Sequence, residues 1–313
     1  QDWKMVWSDE FNTPGLPDPS KWSYDIGGSG WGNNELQYYS DSRSENARIE
    51  DTVLIIELRK ENFGGNDYSS ARLVTKNKGD WLYGKFEVRA KIPKGKGTWP
   101  AIWMLPTDWE YGNWPSSGEI DIMEHVGYEQ GVIHATVHTE SFNHTLGTQV
   151  GENTRVDNCS EEFHMYSVEW YADHIDAFVD NQKYFTFENN NGDFRAWPFN
   201  KKFHLLLNFA FGGSWGGAQG IDPELTSAQF LIDYVRVYEQ VGSKTVTPVY
   251  GIAPVNNQSP QKLLVLGNNQ PHKRMYNLLG KVSRTKNVQI PKTCNGVYVV
   301  PQTQTHAQRV WSE

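Results

Sequence analysis

The stretch HMYSVEWYADHIDAFVDNQKYFTF, from His164 to Phe187, constrains the fold of this chain more than any other. Its aromatic and β-branched residues fall in short runs, and Asp-Asn-Gln at 180–182 supplies the chemistry of a tight turn. Strands joined so closely pair antiparallel, because a parallel pair needs a crossover of about a dozen residues or more. Similar runs recur as TVLIIELRK, YGKFEVRAKI, GVIHATVHT, KFHLLLNFAF and AQFLIDYVRVYEQ, punctuated by Gly, Asn, Asp and Pro. No capped amphipathic stretch exceeds about three turns, so helix should be minor. The spacing predicts an all-β fold, a two-sheet antiparallel sandwich ending near Glu239.

Past that point the composition changes. The 313 residues can hold one large domain or two smaller ones. VGSKTVTPVYGIAPVNNQSPQ has the Ser, Thr, Pro, Asn and Gly content of a linker. We therefore expect a domain over 1–240, a linker over 241–262 and an appendage over 263–313. A net charge of -8 argues against a nucleic-acid partner, which requires a basic face. No apolar run is long enough to cross a membrane as a helix. The opening QDWKMVWSDEF shows no basic-then-apolar leader, which fits either a cytoplasmic protein or one whose leader has been removed. Cys159 and Cys294 could pair or remain two free thiols.

The chemistry concentrates in GEIDIMEHV, Gly118 to Val126. In a strand, Glu119 and Asp121 share one face and Ile120 and Ile122 the other. Plain alternation then drops Glu124 among the isoleucines, where an uncompensated carboxylate is costly. A β-bulge that absorbs Met123 resets the phase and returns Glu124 to the face of Glu119 and Asp121. Two carboxylates flanking a bond, with a third tuning one of them, are the equipment of a retaining glycosidase. Crowded like charges raise at least one pKa, as a proton donor requires. Residues effectively four apart on a strand have Cα atoms roughly 13 Å apart, so the side chains must lean together on a concave strand. The competing reading is a solvated edge strand.

The neighbours favour chemistry. GTWPAIWMLP puts Trp99 and Trp103 on one strand face, and NWPSSG adds Trp114. Flat C–H faces of sugar rings pack on indoles, so exposed tryptophans beside carboxylates read as a saccharide groove. HATVHT sets His134 and His138 on one face of the next strand, a spacing that brings zinc ligands together on a helix and not on a strand. We assign His138 to the groove and give His134 no role.

With these residues in place, the chain resembles glycoside hydrolase family 16, and most of all the laminarinase-like endo-β-1,3-glucanases. WSDEF, GWGNNELQYY, SARLVTK, YGKFEVRAKIP, WPAIWMLP, GEIDIME, HATVHT, NFAFGG and LIDYVRVY occur in family order between about Val6 and Tyr238. The resemblance implies a concave β-jelly-roll, concanavalin-like sandwich and hydrolysis by double displacement. By position it makes Glu119 the nucleophile, Glu124 the acid/base and Asp121 the residue that tunes Glu119. Trp99, Trp103 and Trp114 match groove tryptophans, with Trp103 under the cleaved sugar. Asn34 and Arg72 match polar contacts on the non-reducing side, and His138 one near the leaving group. The bulged acid motif separates the chain from the lichenase-type branch, though not from agarases or carrageenases. No cofactor is expected for catalysis. A structural calcium away from catalysis would map to main-chain oxygens of Glu10 and Thr52 and to the Asp233 carboxylate, and Thr52 stands where the family has glycine.

The resemblance implies a secreted or surface-exposed enzyme whose partner is a β-1,3-glucan, working as a monomer. RMYNLLGKV and VQIPKTCNGVYVV look like a C-terminal secretion-sorting domain. The rival readings are the same fold acting on mixed-linkage glucan or an algal galactan, and a lectin-like module that binds glucan without cutting it.

Overall fold

A computed structural model describes residues 2–190 and 192–242, together with the backbone of strands at 262–265 and 298–301. The chain divides into two units, Gln1–Ser243 and Lys244–Glu313. All regular secondary structure among the described residues is strand.

The first unit is a sandwich of two sheets. One holds β1 (Trp3–Asp9), β3 (Gln37–Tyr39), β4 (Ala47–Glu50), β5 (Val53–Phe63) and β6 (Asn66–Ser70). It continues with β9 (Gly84–Lys91), β14 (His164–Trp170), β15 (His174–Val179), β16 (Gln182–Glu188) and β18 (Ser227–Gln240). Its order is β16-β15-β14-β9-β18-β5-β6-β3, with β1 also on β18 and β4 also on β5. The second sheet holds β2 (Ser23–Tyr24), β7 (Arg72–Val74), β8 (Asp80–Trp81) and β10 (Thr98–Pro106). β11 (Glu119–Glu124), β12 (Val132–His138), β13 (Val150–Arg155) and β17 (Phe203–Phe211) complete it. Its order is β13-β12-β11-β10-β17-β7-β2, with β8 on the edge of β17. Pairing is antiparallel throughout the unit except between β3 and β6.

Local chemistry accounts for the hairpins. Asp180 and Asn181 join β15 to β16 with φ of 48° and 64°, the left-handed pair that a two-residue type I′ turn requires. The core lies between the sheets and follows the two-residue period of the strands. β17 is buried along its whole length. Phe203, Leu205, Leu207, Phe209 and Phe211 point inward to join Phe86, Val88 and Ala90 of β9. Each such side chain stabilises the fold by about 1.5–3 kcal/mol. Leu206, between them, points the other way and packs with Val74 and Leu105 beneath Trp103, Trp109 and Trp114. The outer face of the second sheet thus carries a layer of tryptophan, and it is the face that bears the acids.

Cys159 is buried as a free thiol, and Cys294 lies outside the described residues. In the second unit β19 (Lys262–Val265) pairs antiparallel with β20 (Tyr298–Pro301). The other residues expected to form a linker and a sorting domain lie outside those described, apart from Val241 and Gly242.

Candidate active site

β11 carries the three acids, and its register explains their phase. Asp121 pairs with Trp103 of β10 while Met123 pairs with Ile102, so Ile122 has no partner on that side. Toward β12, Asp121 faces Thr136 and Glu124 faces His134, which leaves Ile122 and Met123 together opposite Ala135. A bulge is present as expected, but the pairing skips Ile122 and keeps Met123. Both side chains are fully buried, so two successive apolar residues enter the core and the next residue, Glu124, emerges on the outer face. Gly118 opens the strand at φ 90°, and a Cβ there would come within 2.8 Å of Pro198, so glycine alone fits.

Each glutamate is held by an indole donor. The Trp114 Nε1–H donates to Glu119 Oε2 at 2.9 Å, and the Trp99 Nε1–H donates to Glu124 Oε1 at 3.0 Å. His138, opposite Glu119 in the β11–β12 pair, places Nε2 3.4 Å from Asp121 Oδ2 and 3.7 Å from Glu119 Oε1. Burial raises the pKa of all three carboxyls. The Glu124 charge adds to the rise at Glu119, and both glutamates add to it at Asp121. The neighbouring Asp121 carboxyl lowers the Glu119 pKa somewhat while Glu119 raises that of Asp121, yet burial and the Glu124 charge still push Glu119 up to about 8. Glu124 is pushed up to about 7. Burial drives His138 down to about 4, which leaves it a neutral imidazole at neutral pH.

On one side of the acids, Arg72 on β7 lies between two indoles, 4.7 Å from the Trp103 ring centroid and 4.8 Å from that of Trp31. Its Nε reaches Asp25 Oδ2 at 2.9 Å. Asn34 has φ 58° and donates from Nδ2 to Ser214 Oγ at 3.1 Å. On the other side Trp114 leans on His138 and His144, with ring centroids 5.9 and 5.0 Å away. Seven of the nine residues expected to act on substrate lie on β7, β10, β11 and β12 of the second sheet, while Trp114 reaches Glu119 from a loop and Asn34 lies in the loop before β3.

Sequence reasoning missed several neighbours. His134, given no role, stands opposite Glu124 and meets the Trp215 ring edge-on at 5.1 Å. Trp215 in turn meets Trp99 at 5.4 Å. Trp31 and Glu35 lie inside the motif GWGNNELQYY and Trp215 stands two residues after NFAFGG, so the signal was in view. His144 sits in a loop without a pattern to mark it.

The expected calcium ligands lie on the other sheet. β18 gathers them: Asp9 pairs with Val235 and Leu54 with Ile232, which sets Glu10 and Thr52 near Asp233. Asp233 Oδ2, however, is 2.6 Å from Arg89 Nη1, and the Glu10 carboxylate is bidentate to Arg236. Calcium takes six to eight oxygens, and the single carboxylate offered here is already paired, so the donor set as it stands fits an ion pair better than a cation. Among the described residues, the acids and imidazoles that cluster at metal-ligand spacing are Glu119, Asp121 and His138, on the opposite face.

The family model for glycosyl hydrolases family 16 matches residues 34–236. A beta-glucanase of Rhodothermus marinus is 56% identical over 246 residues, covering 76% of this chain and 86% of its own. A glucan endo-1,3-beta-glucosidase of Cryptopygus antarcticus is 39% identical over 254 residues, covering 75% and 91%. The crystal structure of the Rhodothermus marinus laminarinase superposes with a TM-score of 0.75 at 55% identity, over 76% of this chain and 98% of that one. The sandwich, the bulged acid strand and these similarities agree, and the chain belongs to glycosyl hydrolase family 16.

Proposed function

We propose that this enzyme hydrolyses internal linkages of laminarin-type β-1,3-glucan with retention of configuration. The observation that carries the reading is the bulge, which sets Glu119, Asp121 and Glu124 in one row among groove tryptophans. In the first step the Glu119 carboxylate attacks the anomeric carbon as Glu124 gives its proton to the departing glycosidic oxygen. Glu124, now ionised, then takes a proton from water, and the water oxygen displaces Glu119 from the sugar. Asp121, two residues along the same strand face, tunes the charge of the Glu119 carboxyl. Trp103 and Arg72 form the floor for the sugars on the non-reducing side, with Asn34 beside them. Trp114 and His138 border the leaving group. A purely glucan-binding module would have no use for a crowded buried acid row, whose desolvation costs stability.

Reducing-sugar release from laminarin, lichenan, agarose and carrageenan tests the substrate, with laminarin expected to be cut fastest. NMR of the first product formed should show the β anomer, and initial formation of the α anomer would overturn retention. Glu119→Ser should abolish cleavage while laminarin oligosaccharides still bind. A variant that kept more than a few per cent of activity would remove Glu119 from the role of nucleophile.

A glucan polymer is too large to enter a cell intact, so we place the enzyme outside it, secreted or surface-bound, and acting as a monomer. For calcium, the main-chain oxygens of Glu10 and Thr52 and the Asp233 carboxylate would hold the ion if Arg89 turned away. A calcium-dependent rise in thermal midpoint that disappears in Asp233→Ala would support that site, and identical midpoints in calcium and in chelator would eliminate it.

A further inference from the structure

Behind the floor of the groove runs a chain of buried hydrogen bonds that the acid row does not use. The Trp103 Nε1–H donates to Asn208 Oδ1 at 2.6 Å. Asn208 Nδ2 donates to the Tyr39 hydroxyl at 2.9 Å, and that hydroxyl donates to Glu35 Oε2 at 3.4 Å. Asn208 is 6% exposed, Tyr39 0% and Glu35 9%, so water cannot stand in for a lost partner.

The direction of the chain is forced. An indole N–H only donates, so Asn208 must turn its oxygen to Trp103 and its NH₂ to Tyr39. Tyr39 then accepts, which leaves its own proton one destination, Glu35. An ionised carboxylate only accepts, and it ends the chain. The other bonds of Glu35 also point inward. Asn33 Nδ2 donates to Oε1 at 3.1 Å, and Gln37 Nε2 donates to Oε2 at 2.7 Å. Gln37 is itself oriented by the Phe211 N–H, which donates to its Oε1 at 2.7 Å. Burial raises the Glu35 pKa, and these donors and the Arg72 charge offset that rise only in part. A carboxylate in a buried site with three donors converging on it is placed to orient something, and Trp103 stands at the far end.

We propose that Glu35, Tyr39 and Asn208 are positioning residues that fix the plane of the Trp103 indole through this one-way chain, and so the sugar that stacks on it. The assignment deepens the glucanase reading and rests on it for its effect on turnover. Its structural half stands alone.

Tyr39→Phe keeps the ring against Trp31, 5.3 Å away, and removes only the hydroxyl. Glu35→Ala removes the terminus. Glu35→Gln is the conservative replacement: its amide oxygen still accepts from Tyr39 and Gln37, while Asn33 can rotate its amide to meet the new NH₂. On the full-length enzyme we expect Tyr39→Phe and Glu35→Ala each to lower kcat/KM about tenfold, chiefly in kcat, with the double variant no worse than the poorer single one. Glu35→Gln should restore most of the loss. In ¹⁵N-tryptophan-labelled protein, the indole N–H resonance missing from Trp103→Phe should move and exchange faster with solvent in Tyr39→Phe. This readout needs no substrate, so it holds even if laminarin proves not to be cut, and Tyr39→Phe carries the test if Glu35→Ala fails to fold. An unmoved indole resonance in Tyr39→Phe, or losses that simply multiply in the double variant, would overturn the proposal.

Discussion

At the scale of single residues, the acid row trades stability for reactivity, and the trade has a testable sign. Burial pushes the Glu124 pKa up to about 7, above the ordinary value of 4.5 for a glutamate carboxyl. Between those pH values the unfolded chain has lost the proton that the folded protein keeps, so stability falls as pH rises through that window. Glu124→Gln removes the penalty while its side-chain oxygen still accepts from Trp99. We predict that this variant loses nearly all turnover on laminarin yet melts a few degrees above the parent at pH 8, with the gap closing at pH 4. An equal gap at both pH values would mean the carboxyl is not held protonated. Turnover by the parent should decline as pH rises through about 7, because the proton donor is then spent. Glu124→Ala should slow laminarin far more than an activated aryl glycoside, whose leaving group departs without a proton. Equal slowing of both would take the acid role from Glu124.

At the scale of elements, the bulge and the β4–β5 turn each make a prediction. Ile122 and Met123 both fill the core, and Met123 keeps its partner Ile102. Deleting Met123 restores plain alternation with the three acids still on one face, so the variant should fold with much reduced activity. It should also lose about 2–4 kcal/mol, since one buried apolar side chain goes missing; a midpoint equal to that of the parent would show that the core repacks freely. Asp51 and Thr52 join β4 to β5 with φ of 49° and 63°, a left-handed pair in which a β-branched residue is strained. Thr52→Gly should stabilise by about 0.5–1 kcal/mol, seen as a rise of roughly 1–4 °C in thermal midpoint. An unchanged or lower midpoint would mean the strain is relieved locally. The same elements show what the sequence makes legible. Glu119, Asp121, Glu124, Trp99, Trp103 and His138 could be placed because strand alternation and one bulge fix their faces. Glu35 and Asn208 could not be linked, because Tyr39 joins them only once two remote segments of the chain are brought together by the fold. The skipped partner of Ile122 was hidden for a related reason: a count along one strand locates a bulge only to within the two residues that share it. His134 was passed over because its partner, Trp215, arrives from a loop far along the chain.

At the scale of the whole molecule, the groove, the acids and the hydrogen-bond chain behind Trp103 all lie in the unit Gln1–Ser243. β18 is central to that unit, pairing with β1, β5 and β9, so a cut must spare it entirely. The sandwich does not finish at Gln240, where the composition first changes. The Val241 N–H donates to the Asp2 carbonyl at 2.8 Å and fastens the end of β18 beside β1. We therefore predict that a chain ending at Ser243 keeps the specific activity of the full-length protein on laminarin. Its thermal midpoint should stay within a few degrees, because the strands described for the sandwich all lie between Trp3 and Gln240. A chain ending at Glu239 should melt lower, having lost that hydrogen bond and the last residue of β18, Gln240. If instead the cut at Ser243 removed most of the activity, or lowered the midpoint by more than about 8 °C, the loss would exceed ~2 kcal/mol for a domain of this size. Burial of apolar area shared between the two units would then be required, and residues 244–313 would belong to the folding unit of the enzyme.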